Sequence, residues 1–135
     1  MPPAFLDTNI LLRHVLQDNA SLSPNATTII GRIEQGELQV QTTDTVVFET
    51  GFTLQRMYKQ PRERIAATLL PILDLPGIVL PGKRYYREVF DLYCSTSVGF
   101  ADCYHAVLMR RLGITEVFSF DRDFDRLPGI RRRED

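Results

Sequence analysis

Short apolar runs alternate along this chain with longer stretches of helical periodicity, and that alternation constrains the fold more than any other feature. Ala4-Phe5-Leu6, Leu38 to Thr42, Ile78-Val79-Leu80 and Val117 to Phe120 read as strands. Helical patterns fall between them: Ile10 to Leu16, Ser23 to Gly36, Asp44 or Thr45 to Tyr58, Pro61 toward Pro76-Gly77, Tyr85 to Tyr93, and Phe100 to Leu112 before Gly113. Asp7, Thr8 or Asn9 can cap the first helix, and Ser23-Pro24 reads as a cap followed by a first-turn proline. Ile130 fits a last edge strand before the charged tail Arg131 to Asp135. This order predicts an α/β domain with a mostly parallel sheet.

The length of 135 residues suits one domain spanning 1–135. A hydrophobic share of 44% can build one core and is too high for a disordered chain. Cys94 and Cys103 cannot form a disulfide framework and read as reduced, buried thiols. Met1-Pro2-Pro3 lacks the basic start and apolar run of a signal peptide, and no apolar stretch is long enough to span a membrane. A cytoplasmic protein is therefore expected. The net charge of −1 does not announce a nucleic-acid binder, so any such binding must come from local patches. Fourteen of the sixteen basic residues are arginine, the better residue for bidentate phosphate contact.

Four carboxylates stand where the local pattern does not need one. Asp7 directly follows the first strand, and Asp121 directly follows the strand Val117 to Phe120. Glu49 interrupts the apolar segment Val46-Val47-Phe48, and Asp102 sits in the first turn of a largely apolar helix. Ligands of parallel α/β sheets bind beyond the carboxyl ends of the strands, so all four can converge on one rim. Carboxylates brought close repel one another, and a divalent cation removes that cost. An all-oxygen set suits Mg²⁺ or Mn²⁺, and two such ions can drive an in-line phosphoryl displacement. Each acid also has a local explanation. Asp7 and Asp102 suit helix N-termini, Glu49 a solvated helix face, and Asp121 the turn Asp121-Arg122-Asp123.

The same residues carry a family resemblance. Phe5-Leu6-Asp7-Thr8-Asn9-Ile10-Leu11 resembles the opening motif of PIN-domain nucleases, and Val46-Val47-Phe48-Glu49 resembles their internal Glu. Gly99-Phe100-Ala101-Asp102-Cys103-Tyr104-His105-Ala106 is similar to their Ala-Asp helix motif, and Ser119-Phe120-Asp121-Arg122-Asp123-Phe124 to their closing Ser/Thr-x-Asp motif. Order, spacing and length resemble small prokaryotic PIN proteins of the VapC toxin type. The resemblance implies a three-layer fold with a central parallel sheet of order 3-2-1-4-5. It implies Mg²⁺- or Mn²⁺-dependent cleavage of RNA and a VapB-type antitoxin that blocks the site. By position it makes Asp7, Glu49, Asp102 and Asp121 the catalytic metal carboxylates. Asp123 could share or replace the role of Asp121. Thr8, Asn9 and Ser119 match polar positions that orient the carboxylates or their waters.

Other candidates are weaker. Asp102 and His105 share a helix face and could bind a transition metal, but no Cys/His cluster supports them, and His105 reads better as a packed or hydrogen-bonded core histidine. His14, beside Arg13, reads as peripheral. Cys103 has no basic neighbour in sequence to activate it. Arg13, Arg110, Arg122 and Arg126 could hold RNA phosphates. The field of Arg131-Arg132-Arg133 is partly cancelled by Glu134-Asp135. A haloacid-dehalogenase-type phosphatase would want an Asp at position 9, where Asn9 stands. A non-catalytic PIN-like RNA-binding or scaffold module would not need all four acids. An antitoxin helix is expected to dock near Ser23 to Gln35 and Val47 to Tyr58. A homodimer is expected through Tyr85, Tyr86, Phe90 and Tyr93, with core packing as the alternative for at least two of them.

Overall fold

The computed structural model describes residues 2–135 and divides into two units, Met1–Arg84 and Tyr85–Asp135. In the first unit, β1 (Ala4–Phe5), β2 (Val40–Gln41) and β3 (Ile78–Val79) form a parallel sheet in the order β1-β2-β3. Helices α1 (Thr8–Leu16), α2 (Leu22–Glu34), α3 (Asp44–Arg56) and α4 (Arg62–Leu73) connect these strands. The strands are only two residues long, so packing rather than ladder length holds them. Leu11, Leu12, Ala26, Ile30, Ile33, Val47, Leu54, Ile65, Leu69 and Leu73 turn one apolar face of each helix into the core. Thr42 ties two strand ends together, its buried Oγ1 donating to the carbonyl of Leu6 at 3.0 Å.

Local chemistry sets the helix ends. Asp7 is the N-cap of α1, with extended backbone. Thr43 caps α3, its hydroxyl accepting the N–H of Val46 at 3.3 Å. The helix was expected to open at Asp44 or Thr45. Asp44 is the first helical residue, and Thr43 keeps the extended backbone that a cap requires. Ser23 is likewise not a cap. It lies inside α2, buried, where its Oγ accepts the N–H of Asn19. Asn19 Oδ1 accepts the N–H groups of Ser21 and Leu22 and organises that entry.

In the second unit, a 3-10 turn from the end of the first (Lys83–Tyr85) leads into α5 (Tyr86–Ser95), followed by α6 (Phe100–Leu112). Next come β4 (Glu116–Phe118), a 3-10 helix (Arg122–Arg126) and β5 (Arg131–Arg133). Gly113 closes α6 at φ +72°, a conformation that glycine adopts without strain. Strands β4 and β5 pair in parallel, Val117 opposite Arg132. The last strand was expected at Ile130, ahead of a charged tail. The tail itself is the strand, because Glu116 pairs with Arg131 and Arg133 across the ladder.

Tyr86, Phe90 and Tyr93 form the core of this unit with Phe100 and Tyr104. Ring centroids lie 5.0 Å apart for Phe90–Phe100 and 5.2 Å for Tyr93–Phe100. The proposed dimer surface is therefore corrected. Three of its four aromatics are buried on the inner face of α5, and only Tyr85 keeps partial exposure. Both cysteines are free, and Cys103 is buried, but Cys94 is only half-buried.

All the pairings observed are parallel. They make one three-stranded and one two-stranded sheet, so the continuous order 3-2-1-4-5 is not confirmed. Among the described residues, no helix is long and apolar enough to cross a membrane.

Candidate metal centre

Three carboxylates of the second unit come together. Asp102, Asp121 and Asp123 each offer an oxygen, and these oxygens lie within 4.8 Å of one another. Asp102 stands in the first turn of α6, where the extended backbone of Gly99 starts the helix. Asp121 and Asp123 sit where β4 gives way to the 3-10 helix.

Two turns set the register of that junction. Ser119 Oγ accepts the N–H of Asp121 at 3.0 Å, and Asp121 Oδ1 accepts the N–H of Asp123 at 2.9 Å. The turn-capping explanation of Asp121 is thus satisfied by one oxygen. Its other oxygen is left over for a ligand. Ser119 acts on Asp121 through the backbone. The Arg126 guanidinium approaches Asp123 at 3.5 Å and offsets part of its charge.

Electrostatics mark Asp102. Burial pushes its carboxyl above the ordinary value, and the neighbouring charge of Asp121 adds to that push. His105 pulls the other way, its Nδ1 lying 3.6 Å from Asp102 Oδ1. His105 was expected in the core and is corrected: its side chain is 52% exposed, on the α6 face shared with Asp102.

The remaining predicted residues belong to the first unit. Asp7 is exposed and occupies the cap position of α1 without a side-chain cap hydrogen bond, so capping does not consume its carboxylate. Asn9 is exposed one residue into the helix. Thr8 is 3% exposed, and its Oγ1 has no hydrogen-bond partner among the described residues. A buried hydroxyl without a partner is costly, which suits a site completed by a water or ion. Glu49 is exposed on α3, on the side away from the buried Val46, Val47, Thr50, Gly51 and Leu54. Neither Asp7 nor Glu49 belongs to the three-carboxylate group. His14 is half-buried, with Nδ1 2.9 Å from Thr27 Oγ1, and burial lowers its pKa.

The donor set fits a hard divalent cation. It is all oxygen, it is anionic, and its most buried member is destabilised by a like charge that a cation would offset. Asp123 is the member that sequence placed least firmly. Its signal was the spacing Asp121-x-Asp123; Asp121, still extended before the 3-10 helix, accepts the N–H of Asp123, and both carboxylates reach the group.

Comparison with known proteins agrees with the motifs. Residues 4–130 match the PIN domain family. The chain is 29% identical over 122 residues to a VapC ribonuclease of Aquifex aeolicus (strain VF5), covering 90% of each sequence. With a match across nearly its whole length, this chain belongs to the PIN-domain family.

Proposed function

We propose that the protein is a metal-dependent ribonuclease, the toxin of a toxin-antitoxin pair, and that residues 1–135 act as one PIN-like domain. The observation that carries this reading is the group Asp102, Asp121 and Asp123, oxygens within 4.8 Å, in which burial and a like charge disfavour the ionised Asp102. The similarity to a VapC ribonuclease supports RNA as the substrate.

In this reading Asp102 and Asp121 hold Mg²⁺ or Mn²⁺ with Asp7 and Glu49, and Asp123 shares the role of Asp121. When bound, the cation activates water and screens the charge that builds on the phosphodiester. The chain supplies the rest. Ser119 and the 3-10 turn hold Asp121 in place through its N–H and Oδ1. His105 favours the ionised form of Asp102. Thr8 and Asn9 orient the Asp7 side of the site. The protein works in the cytoplasm, where its RNA substrate is.

A VapB-type antitoxin is the expected inhibitor. Exposed Phe52, Met57 and Tyr58 at the end of α3, with Leu22 on α2, support docking near the helices named from sequence. A homodimer remains part of the reading, through a surface other than the buried aromatics of α5.

The test is cleavage of a labelled RNA by the wild type and by Asp7→Asn, Glu49→Gln and Asp102→Asn. Each variant should lose cleavage while keeping its circular dichroism spectrum, and EDTA should silence the wild type. Full cleavage by Asp7→Asn in excess EDTA would end the metal-nuclease reading.

A further inference from the structure

Asp121 is flanked by two side chains that holding a metal leaves unused. Phe120 is 83% exposed and meets no ring or guanidinium among the described residues. Arg122 is exposed, and its side chain has no ion pair or hydrogen bond among the described residues. The other arginines of this segment are engaged. Arg126 meets Ser97 and Asp123, Arg131 meets Glu116, Arg132 meets Asp125, and Arg133 lies over the Phe118 ring at 5.0 Å.

The backbone explains why both point outward. The Ser119–Asp121 and Asp121–Asp123 hydrogen bonds close two successive turns. Phe120 and Arg122 are the middle residues of those turns, while Asp121 and Asp123 turn to the carboxylate group. A single exposed apolar residue is ordinary. Phe118, two residues back, is exposed as well but lies beneath the Arg133 guanidinium; Phe120 has no such cover, and it stands beside a carboxylate group and two residues from an unpaired guanidinium.

Charge favours one occupant. With Asp121 and Asp123 committed to a cation, residues 116–135 keep five arginines against Glu116, Asp125, Glu134 and Asp135, and Arg122 is the arginine among them with no acidic partner among the described residues. A guanidinium without a partner beside an exposed aromatic ring fits single-stranded nucleic acid, whose phosphates take guanidinium contacts and whose bases stack on aromatic faces.

Resting on the ribonuclease reading, we infer that Phe120 stacks on an RNA base beside the bond to be cut, and that Arg122 pairs with an adjacent phosphate. The two side chains bind the single strand on either side of Asp121. Sequence preference next to the cut then follows from how well each base stacks on Phe120.

The experiment has a binding arm and a cleavage arm. Binding of a fluorescently labelled single-stranded RNA is measured with Mg²⁺ in an Asp102→Asn background. Phe120→Ala should weaken it about 5- to 150-fold, the range for loss of one base–aromatic stack. Phe120→Trp should restore it. Arg122→Gln should weaken binding and lower the slope of log affinity against log salt by about 0.7, the share of one phosphate contact on a single strand. An abasic nucleotide walked along the RNA should find one position where the Phe120 parent drops to the Phe120→Ala level and Phe120→Ala loses nothing further. In the cleavage arm, with Asp102 intact, Phe120→Ala should raise KM more than it lowers kcat.

Active protein whose binding and KM are indifferent to Phe120→Ala would overturn the stacking inference and leave the ribonuclease reading intact. Inactive wild type whose RNA binding still depends on Phe120 would do the reverse. A change in sedimentation mass on Phe120→Ala, with RNA affinity unchanged, would assign the ring to self-association and also overturn the inference.

Discussion

Asp102 joins local structure to chemistry. As an acid in the first turn of α6 it complements the helix dipole, worth about 0.3–1 kcal/mol. As a side chain 26% exposed and close to Asp121, it is also disfavoured in its charged form. Burial and the Asp121 charge raise its pKa, against the pull of His105. Its folded state binds a proton more tightly than the unfolded chain does, between the ordinary value of 3.8 and the raised one. Without metal, the contribution of Asp102 to stability should therefore fall as pH rises through that window and stay low above it. The difference between wild-type and Asp102→Asn melting curves across pH isolates this contribution. At neutral pH in EDTA, Asp102→Asn should be more stable than wild type by roughly 0.5–2 kcal/mol. Mg²⁺ or Mn²⁺ should raise the wild-type Tm by mass action and raise the variant's less. A variant that melts lower in EDTA, with neither protein responding to metal, would reduce Asp102 to a helix-end residue.

Among the elements, α6 was the most legible. Its bounds, Phe100 to Leu112, follow from the apolar spacing and the glycines at 99 and 113. Of the two starts that the sequence allows for α3, Asp44 and Thr45, the structure takes Asp44, with Thr43 as the cap because its backbone is the extended one. Thr43→Ala should destabilise the protein by about 1 kcal/mol through loss of the bond to Val46, and chemical denaturation would measure it. A second element-level prediction concerns the approach to β3. A Cβ on Gly77 would lie 2.9 Å from both Ile33 Cγ2 and the Leu38 carbonyl oxygen. The Ile33 side chain can shift, but the carbonyl belongs to the connection between α2 and β2. Gly77→Ala should therefore cost about 1–3 kcal/mol by overpacking. An unchanged denaturation midpoint would show that this connection gives way freely.

For the whole molecule, the proposal of one domain over residues 1–135 makes a calorimetric prediction. Unfolding should be a single transition whose calorimetric and van't Hoff enthalpies agree. Two resolved transitions, one lost on truncating a large side chain of the Tyr86–Phe90–Phe100 cluster, would instead make Tyr85–Asp135 an independent unit. The same experiment with added metal ties the candidate site to global stability, since a cation held by Asp102, Asp121 and Asp123 protects whatever unfolds with them.

Sequence periodicity by itself determined the α/β class and the six helices, because helix spacing is a local signal, and acids out of place in the local pattern marked Asp102 and Asp121, two members of the carboxylate group. The order of the motifs determined the family. Tertiary structure decided the matters that depend on partners distant in the chain. Tyr86, Phe90 and Tyr93 became core because α6 presents Phe100 and Tyr104 to them. Arg131–Arg133 became a strand because Glu116 faces them across the ladder. Asp123 joined Asp102 because a 3-10 turn, held by Asp121's own carboxylate, rotates it there. Tyr, Arg and Asp side chains suit either environment, and Phe90, though apolar throughout, lies on a helix whose buried face only its packing partners define; in each case the neighbours in space settled the choice.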